Sequence, residues 1–367
     1  MSDQDVNQDA PDESAQKTAV SIQNVSIVFG DNPYKALPLM ETGQSRSDIQ
    51  KETGQVLGVH DCSLDVAEGE ILVLMGLSGS GKSTLLRAVN GLNPIVQGDV
   101  VVRDGDWSTS LAKATPNELR HLRRECVAMV FQQFGLLPWR TVRENVGLGL
   151  ELAGIGKRER MRRVDEQLEL VGLTQWGPRK VGELSGGMQQ RVGLARAFAT
   201  NAPILLMDEP FSALDPLIRT RLQDELLDLQ SRLQRTIIFV SHDLDEAFKI
   251  GNRIAIMEGG RIIQCGTPSE IYTNPANDYV ADFVAHMNPL GVLRARDAMT
   301  PPPRPAPTGM TMAADTPLSE AMAQLAEAKG KLMLTEGGHV VGMLTDASAV
   351  AALTARRGRE GAAEETA

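Results

Sequence analysis

Eight consecutive residues, Gly76-Leu77-Ser78-Gly79-Ser80-Gly81-Lys82-Ser83, fit the pattern GxxxxGK[ST]. They stand between an apolar run and a helical stretch, the context that pattern requires. Gly76, Gly79 and Gly81 carry no Cβ, so the backbone N–H groups can curl round phosphate oxygens. The N-terminus of the following helix adds partial positive charge at the same place. Lys82 is placed to reach the β- and γ-phosphates of a nucleotide, and Ser83 to ligate Mg²⁺. A second string, Ile204-Leu205-Leu206-Met207-Asp208-Glu209, is four apolar residues ending in two carboxylates. If the apolar residues form a buried strand, the acids lie at its carboxyl end, where α/β sheets bind ligands. Asp208 then suits a Mg²⁺ shell, and Glu209 suits polarising an attacking water. A strand-ending acid pair says little alone; beside a phosphate-binding loop it points to nucleotide hydrolysis.

The elements that must hold these strings are legible around them. Ile71–Met75, Val127–Phe131 and Ile204–Met207 read as buried strands, and Thr236–Val240 as a fourth. From Ser21 to about Phe283, short β-rich runs alternate with helical patterns, which predicts an α/β domain with a largely parallel sheet. Pro216–Arg235 places Leu222, Leu226, Leu229 and Leu233 at helical spacing, a scaffold helix with a charged outer face. Residues 1–20 are polar and acidic and are expected to form a disordered tail. The Pro-rich run Thr300–Thr308 cannot continue a helix or a central strand, so 284–308 is expected to link the main domain to a small module at 309–354. Residues 355–367 are expected to fray.

Composition removes several alternatives. Lys and Arg total 37 against 47 for Asp and Glu, a formal net charge of -10, so no global field favours nucleic acid or anionic lipid. Cys62, Cys126 and Cys265 form no CxxC pair, which argues against a disulfide framework or structural zinc and for a reducing compartment. The first residues, MSDQDVNQDAPDESAQK, have neither a basic nor an apolar region and do not read as a secretory signal. No apolar run approaches the roughly 20 residues that span a bilayer. Any transport role then requires a partner that supplies the channel.

Leu184-Ser185-Gly186-Gly187-Met188-Gln189-Gln190-Arg191 resembles the signature motif of the ABC ATPases, and the other motifs of that family occur around it in the expected order. The resemblance covers about residues 21–283. It implies a P-loop NTPase fold of the ABC-ATPase type, a RecA-like core with a helical subdomain. It also implies ATP and Mg²⁺ as cofactors. Phe29 matches the aromatic that stacks on adenine, although alone it reads equally as a core residue. Gln132 matches the glutamine that links the nucleotide site to the transport partner and approaches the metal; Gln133 leaves the register open by one residue, and the family order of apolar residue, Phe, Gln favours Gln132. His242 matches the switch histidine, where a lone histidine would more often cap a turn. Ser212-Ala213-Leu214-Asp215 matches the loop after the acid pair. The resemblance adds Ser78, Ser80 and Thr84 to the residues around the nucleotide. Asp215 is counted with them, while Ser185, Gly186, Gly187 and Gln189 of the signature motif are expected to close over ATP held by a second subunit, so a head-to-tail homodimer is implied.

One nucleotide-binding domain without tandem repeat or membrane span fits an importer subunit. The long segment from Gly30 to Glu70, with GTPSEIYTNPANDYVADF, is similar to the glycine betaine, proline and choline importer ATPases. That likeness implies a quaternary-ammonium solute, an integral membrane permease, a periplasmic or lipid-anchored binding protein, and a place at the cytoplasmic face of the inner membrane. No nucleic acid is expected; the competing function is a soluble ABC ATPase acting as a regulatory or nucleic-acid factor. Residues 134–150 include Leu136, Leu137, Pro138 and Trp139, which suit either permease docking or the helical subdomain's own core. The C-terminal α+β segment resembles one CBS module whose pattern begins near residue 296. Ser348 stands where the pattern begun by Gly342 and Thr345 has an acidic residue, which counts against an adenosine ligand there.

Overall fold

The computed structural model describes residues 17–132, 135–212, 214–285, 287–302 and 309–354. In chain order the strands are β1 (Thr18–Phe29), β2 (Val56–Ala67), β3 (Ile71–Met75), β4 (Gln97–Asp104), β5 (Trp107–Ser110), β6 (Val127–Val130), β7 (Ile204–Asp208), β8 (Thr236–Val240), β9 (Arg253–Glu258), β10 (Arg261–Gly266), β11 (Thr311–Ala313), β12 (Lys331–Glu336) and β13 (His339–Thr345). The helices used below are α1 (Arg46–Thr53), α2 (Lys82–Val89), α3 (Lys157–Leu170), α4 (Gly186–Ala199), α5 (Pro216–Leu233), α6 (Leu244–Ile250), α7 (Leu318–Glu327) and α8 (Asp346–Thr354).

The central sheet has the order β10-β9-β3-β8-β7-β6, parallel throughout except for β10 against β9. Every residue of β3, β7 and β8 is buried, the reason these strands are near-continuous apolar runs rather than alternating ones. Their side chains divide by alternation between two cores. Ile71, Val73 and Met75 join one cluster with Leu205, Met207, Ile237 and Phe239. Leu72 and Leu74 join another with Ile204, Leu206, Ile238 and Val240. That second core is closed by α2 and by an antiparallel sheet of order β2-β1-β4-β5.

A helical region rises from the central sheet's β6 side. Val142, Val146 and Leu150 pack there on Val164 and Leu168 of α3 and Val192 of α4. Trp139 stays outside that core, exposed over 68% of its surface, and Leu152 is exposed as well, so the reading of Trp139 as a core residue does not hold.

The C-terminal unit is a three-stranded sheet, β11 parallel to β12 and β12 antiparallel to β13, covered by α7 and α8. Its Leu318, Leu332, Leu334 and Leu344 belong to the same apolar cluster as Phe239 and Met207, through Val280, Val284, Met287 and Leu293. The segment 284–308, expected as a linker, is therefore packed over its first part: Val292, Leu293, Ala295 and Ala298 are buried, and Thr300 bonds Met343. Residues 303–308 lie outside the described residues. The expected tail 1–20 is also too long, because β1 starts at Thr18 and Ala19 and Val20 are buried. The helix expected over 216–235 ends at Leu233, where Gln234 turns left-handed at φ 49°. Leu222 and Leu226 are buried as expected, whereas Leu233 is exposed in this terminal turn.

Candidate functional site

The loop between β3 and α2 is folded by its glycines. Gly76 sits at φ 140°, and a Cβ there would lie 2.1 Å from the Met257 carbonyl oxygen. Gly81 sits at φ 102°, and its Cβ would lie 2.7 Å from that of Gly58. Only glycine satisfies both the conformation and the clearance. Lys82 folds back under the loop, its Nζ donating to the carbonyls of Gly76 at 2.8 Å and Leu77 at 2.9 Å. Burial lowers the Lys82 pKa, with Glu209 and then Asp208 opposing that shift as nearby negative charges. Both carboxylates thus face the loop lysine across one cleft.

Successive strand residues point to opposite faces, so two adjacent acids can share a cleft only if the backbone breaks step. Glu209 does this at φ 48°, the left-handed region that non-glycine residues rarely enter. Its N–H donates to the Val240 carbonyl at 3.1 Å, and its own carbonyl accepts from the N–H and hydroxyl of Ser212. Asp208, fully buried at the end of β7, accepts from the Ser83 hydroxyl at 2.6 Å and pairs with Arg87 at 2.9 Å. Ser83 and Arg87 are one helical turn apart on α2, so one face of α2 engages both carboxylate oxygens.

Side chains from two neighbouring strand ends converge on Glu209. Gln132, just after β6, donates from Nε2 to Glu209 Oε2 at 3.1 Å. His242, just after β8, brings Nδ1 within 3.2 Å of the same oxygen. A tautomer protonated at Nδ1 donates to the carboxylate and leaves Nε2 free to accept. The site sits at the carboxyl ends of β3, β6, β7 and β8. Gln133, the alternative register, and Ala213 lie outside the described residues. Phe29 ends β1 with 37% of its surface exposed, a half-open face at the edge of the loop region; a Cβ at Gly58 would come within 2.9 Å of its ring and 3.0 Å of the Thr84 methyl. Ser78 and Ser80 lie in the loop itself, and the Ser80 carbonyl accepts from Gly260 N–H.

The signature residues are not part of this cleft. Ser185 immediately precedes α4 without a side-chain capping bond, and with Gly186, Gly187, Leu214, Asp215 and Ile218 it borders a separate open hollow of about 500 Å³. Gln189 is turned inward, donating to the Leu184 carbonyl at 3.1 Å. Asp215 caps α5 by accepting from Ile218 N–H at 3.1 Å. In one chain, then, the phosphate loop and the signature residues lie in separate places. Sequence reasoning missed Arg87, for which the fourfold spacing from Ser83 was the available signal, and Arg46, for which there was none.

For a metal, the residues present fit a hard dication held partly by substrate. Ser83 Oγ and Asp208 Oδ1 offer two oxygen donors 2.6 Å apart, while no cluster of three or more His, Cys, Asp or Glu occurs among the described residues.

Comparison with known proteins bears on the family and the fold. Residues 59–212 match the family model described as ABC transporter. The chain is 52% identical over 278 residues to the glycine betaine/proline betaine transport system ATP-binding protein ProV of Escherichia coli, covering 76% of this chain and 68% of that one. It is 50% identical to a glycine betaine/carnitine transport ATP-binding protein of Listeria monocytogenes, over 77% of this chain and 70% of that protein. It is 48% identical to a trimethylamine N-oxide transport system ATP-binding protein of Ruegeria pomeroyi, over 75% and 80% respectively. Among solved structures, an ATP-binding cassette captured as a dimer with ADP and Pi superposes with a TM-score of 0.57 at 30% identity, covering 68% of this chain and 98% of that one.

Proposed function

The chain belongs to the family of ABC transporter ATP-binding subunits, and from that membership we propose that it hydrolyses ATP to drive uptake of a quaternary-ammonium solute through a separate permease. The observation that carries the hydrolytic half is the convergence of Gln132 and His242 on Glu209, one residue beyond the Asp208–Ser83 pair.

Mg²⁺ with the nucleotide's phosphates neutralises charge developing on the transferred phosphoryl group. Ser83 and Asp208 would hold the metal, and Arg87 fixes the Asp208 carboxylate through Oδ2, leaving Oδ1 on the Ser83 side. Lys82 carries a positive charge whose desolvation is relieved when phosphate arrives. Glu209 orients and polarises the attacking water, and Gln132 and His242 hold its carboxylate on that path. Phe29 offers its exposed ring to adenine. Ser185, Gly186 and Gly187, at the N-terminus of α4, meet the phosphates of ATP bound by a second copy, which makes the working unit a two-fold dimer.

The solute class rests on the relatives, whose names give glycine betaine, proline betaine, carnitine and trimethylamine N-oxide. No helix among the described residues is long and apolar enough to cross a membrane, so the permease is a partner, docked through the exposed Trp139 and Leu152 at the cytoplasmic face of the membrane. A binding protein outside the membrane delivers the solute. A nucleic-acid role has no support from the net charge of -10.

Glu209→Gln tests the chemistry. Its kcat should fall by about a hundredfold or more while ATP affinity stays within about threefold, and ATP should trap a dimer detectable by size-exclusion chromatography. Hydrolysis at the wild-type rate would sink the assignment. Uptake of labelled glycine betaine, choline and proline betaine by the reconstituted transporter tests the solute.

A further inference from the structure

Between Phe29 and β2 the chain makes an excursion that the chemistry above does not use. The excursion is a built unit: Ala36, Met40 and Ile49 pack on Val28 and Leu57 in a small core of their own. Its two ends are tied by Gln55, whose Oε1 accepts from Asn32 N–H at 3.1 Å. At its centre Ser45 caps α1, and Arg46, the first residue of that helix, reaches out of the unit toward the phosphate loop.

Arg46 Nη1 donates to the Gly79 carbonyl at 2.8 Å. Its Nε donates to Leu57 O at 2.8 Å, and Nη2 to Gly58 O at 3.0 Å and to Leu57 O. Gly79 lies in the middle of the loop, and Gly58 lies against Phe29 and Thr84. The guanidinium therefore joins the aromatic corner to the phosphate corner. Four of its five N–H donors are engaged and the fifth, on the Nη1 that holds Gly79, has no acceptor among the described residues. No carboxylate there pairs with it either, and burial lowers its pKa with no opposing charge. A half-buried cation held by carbonyls alone keeps its positive charge uncompensated beside the phosphate-binding loop.

We propose that the 30–55 excursion is a strap on the nucleotide site, in which Arg46 positions the phosphate loop through Gly79 and sets its affinity for the nucleotide's phosphates. This rests on the ATPase reading and adds a residue that takes no part in the chemistry.

The test compares Arg46→Ala, Arg46→Gln and Arg46→Lys in the full chain. Arg46→Ala should raise the KM for ATP about tenfold and leave kcat within about twofold. Arg46→Lys, which keeps the charge, should recover part of the loss, and Arg46→Gln should recover less. Binding by calorimetry should show the deficit growing from AMP to ADP to ATP, a gradient that a purely structural role does not produce. An equal deficit for all three nucleotides, an unchanged KM, or a fall in kcat at constant KM would overturn the proposal. Should Arg46→Ala fail to fold, the Lys and Gln variants carry the same comparison. Failure of the ATPase reading is seen separately, as absent hydrolysis by the wild-type protein.

Discussion

At the scale of single residues, contiguous strings were legible from their own chemistry, whereas Gln132 and His242, which reach Glu209 from 77 and 33 positions away, were legible only through the family resemblance. Gly76 to Ser83 and the Asp208–Glu209 pair are local, so their residue types and spacing pointed to phosphate binding before any fold was known. Arg46 and Arg87 bond partners 33 and 121 positions away, and only the spacing of Arg87 from Ser83 hinted at either. Lys82 shows what the static site costs. Its pKa is lowered by burial, so the folded state binds the lysine proton less tightly than the unfolded chain does. The penalty is absent above the ordinary lysine range, grows as pH falls below that range, and is complete once pH lies below the lowered value. Lys82→Met removes the charge at similar volume. The nucleotide-free melting temperature should stay within about 1 °C of wild type or rise by about 1–3 °C, while the ATP-induced shift disappears. A large fall in the nucleotide-free value, read by differential scanning fluorimetry, would mean that the two carbonyl bonds of Lys82 outweigh its desolvation.

At the scale of elements, β3, β6, β7 and β8 were read nearly residue for residue, since a run such as Ile71–Met75 has apolar side chains on both faces, whereas the parallel strand β9 was not read. The antiparallel sheet of β1, β2, β4 and β5 went unread because strands such as β4, Gln97–Asp104, bury only alternate positions and mix in polar residues. Helix pairing was also invisible, and it has an electrostatic consequence. Glu246 on α6 is buried, accepting from Gln223 of α5 at 3.1 Å and from Ser241. Burial, helped by Asp243, raises its pKa above 4.5, while the two hydrogen bonds and Arg219 oppose the shift. A raised folded pKa contributes stability below the ordinary carboxylate range and loses it as pH rises through the folded value. Glu246→Gln stays neutral throughout. Its melting temperature relative to wild type should climb by about 2 °C between about pH 4 and about pH 8. A difference that is flat across that range would show that Glu246 does not titrate against the fold.

At the scale of the whole molecule, the small C-terminal unit was legible as a separate pattern, but its attachment was not. A Pro-rich run suggested a spacer, whereas 289–300 is packed against the unit and shares the large apolar cluster with the central sheet. Within the unit, Ser348 and Thr345 cap α8 reciprocally, at 3.0 and 3.1 Å, which occupies the serine with a structural task. Removal of residues 289–367 should leave kcat within about threefold, since every residue around Glu209 lies upstream, while lowering the melting temperature by at least about 3 °C as the faces of Val284 and Met287 become wet. Loss of hydrolysis in a truncated chain that still melts cooperatively would place the unit inside the catalytic body. The alternation of the central strands between two cores carries this division down to neighbouring side chains. Val73 shares its volume with a cluster that reaches the C-terminal unit, and Leu74 shares its volume with one that reaches the antiparallel sheet. A change of side-chain volume at Val73 is therefore met by neighbours on one side of the sheet, and one at Leu74 by neighbours on the other.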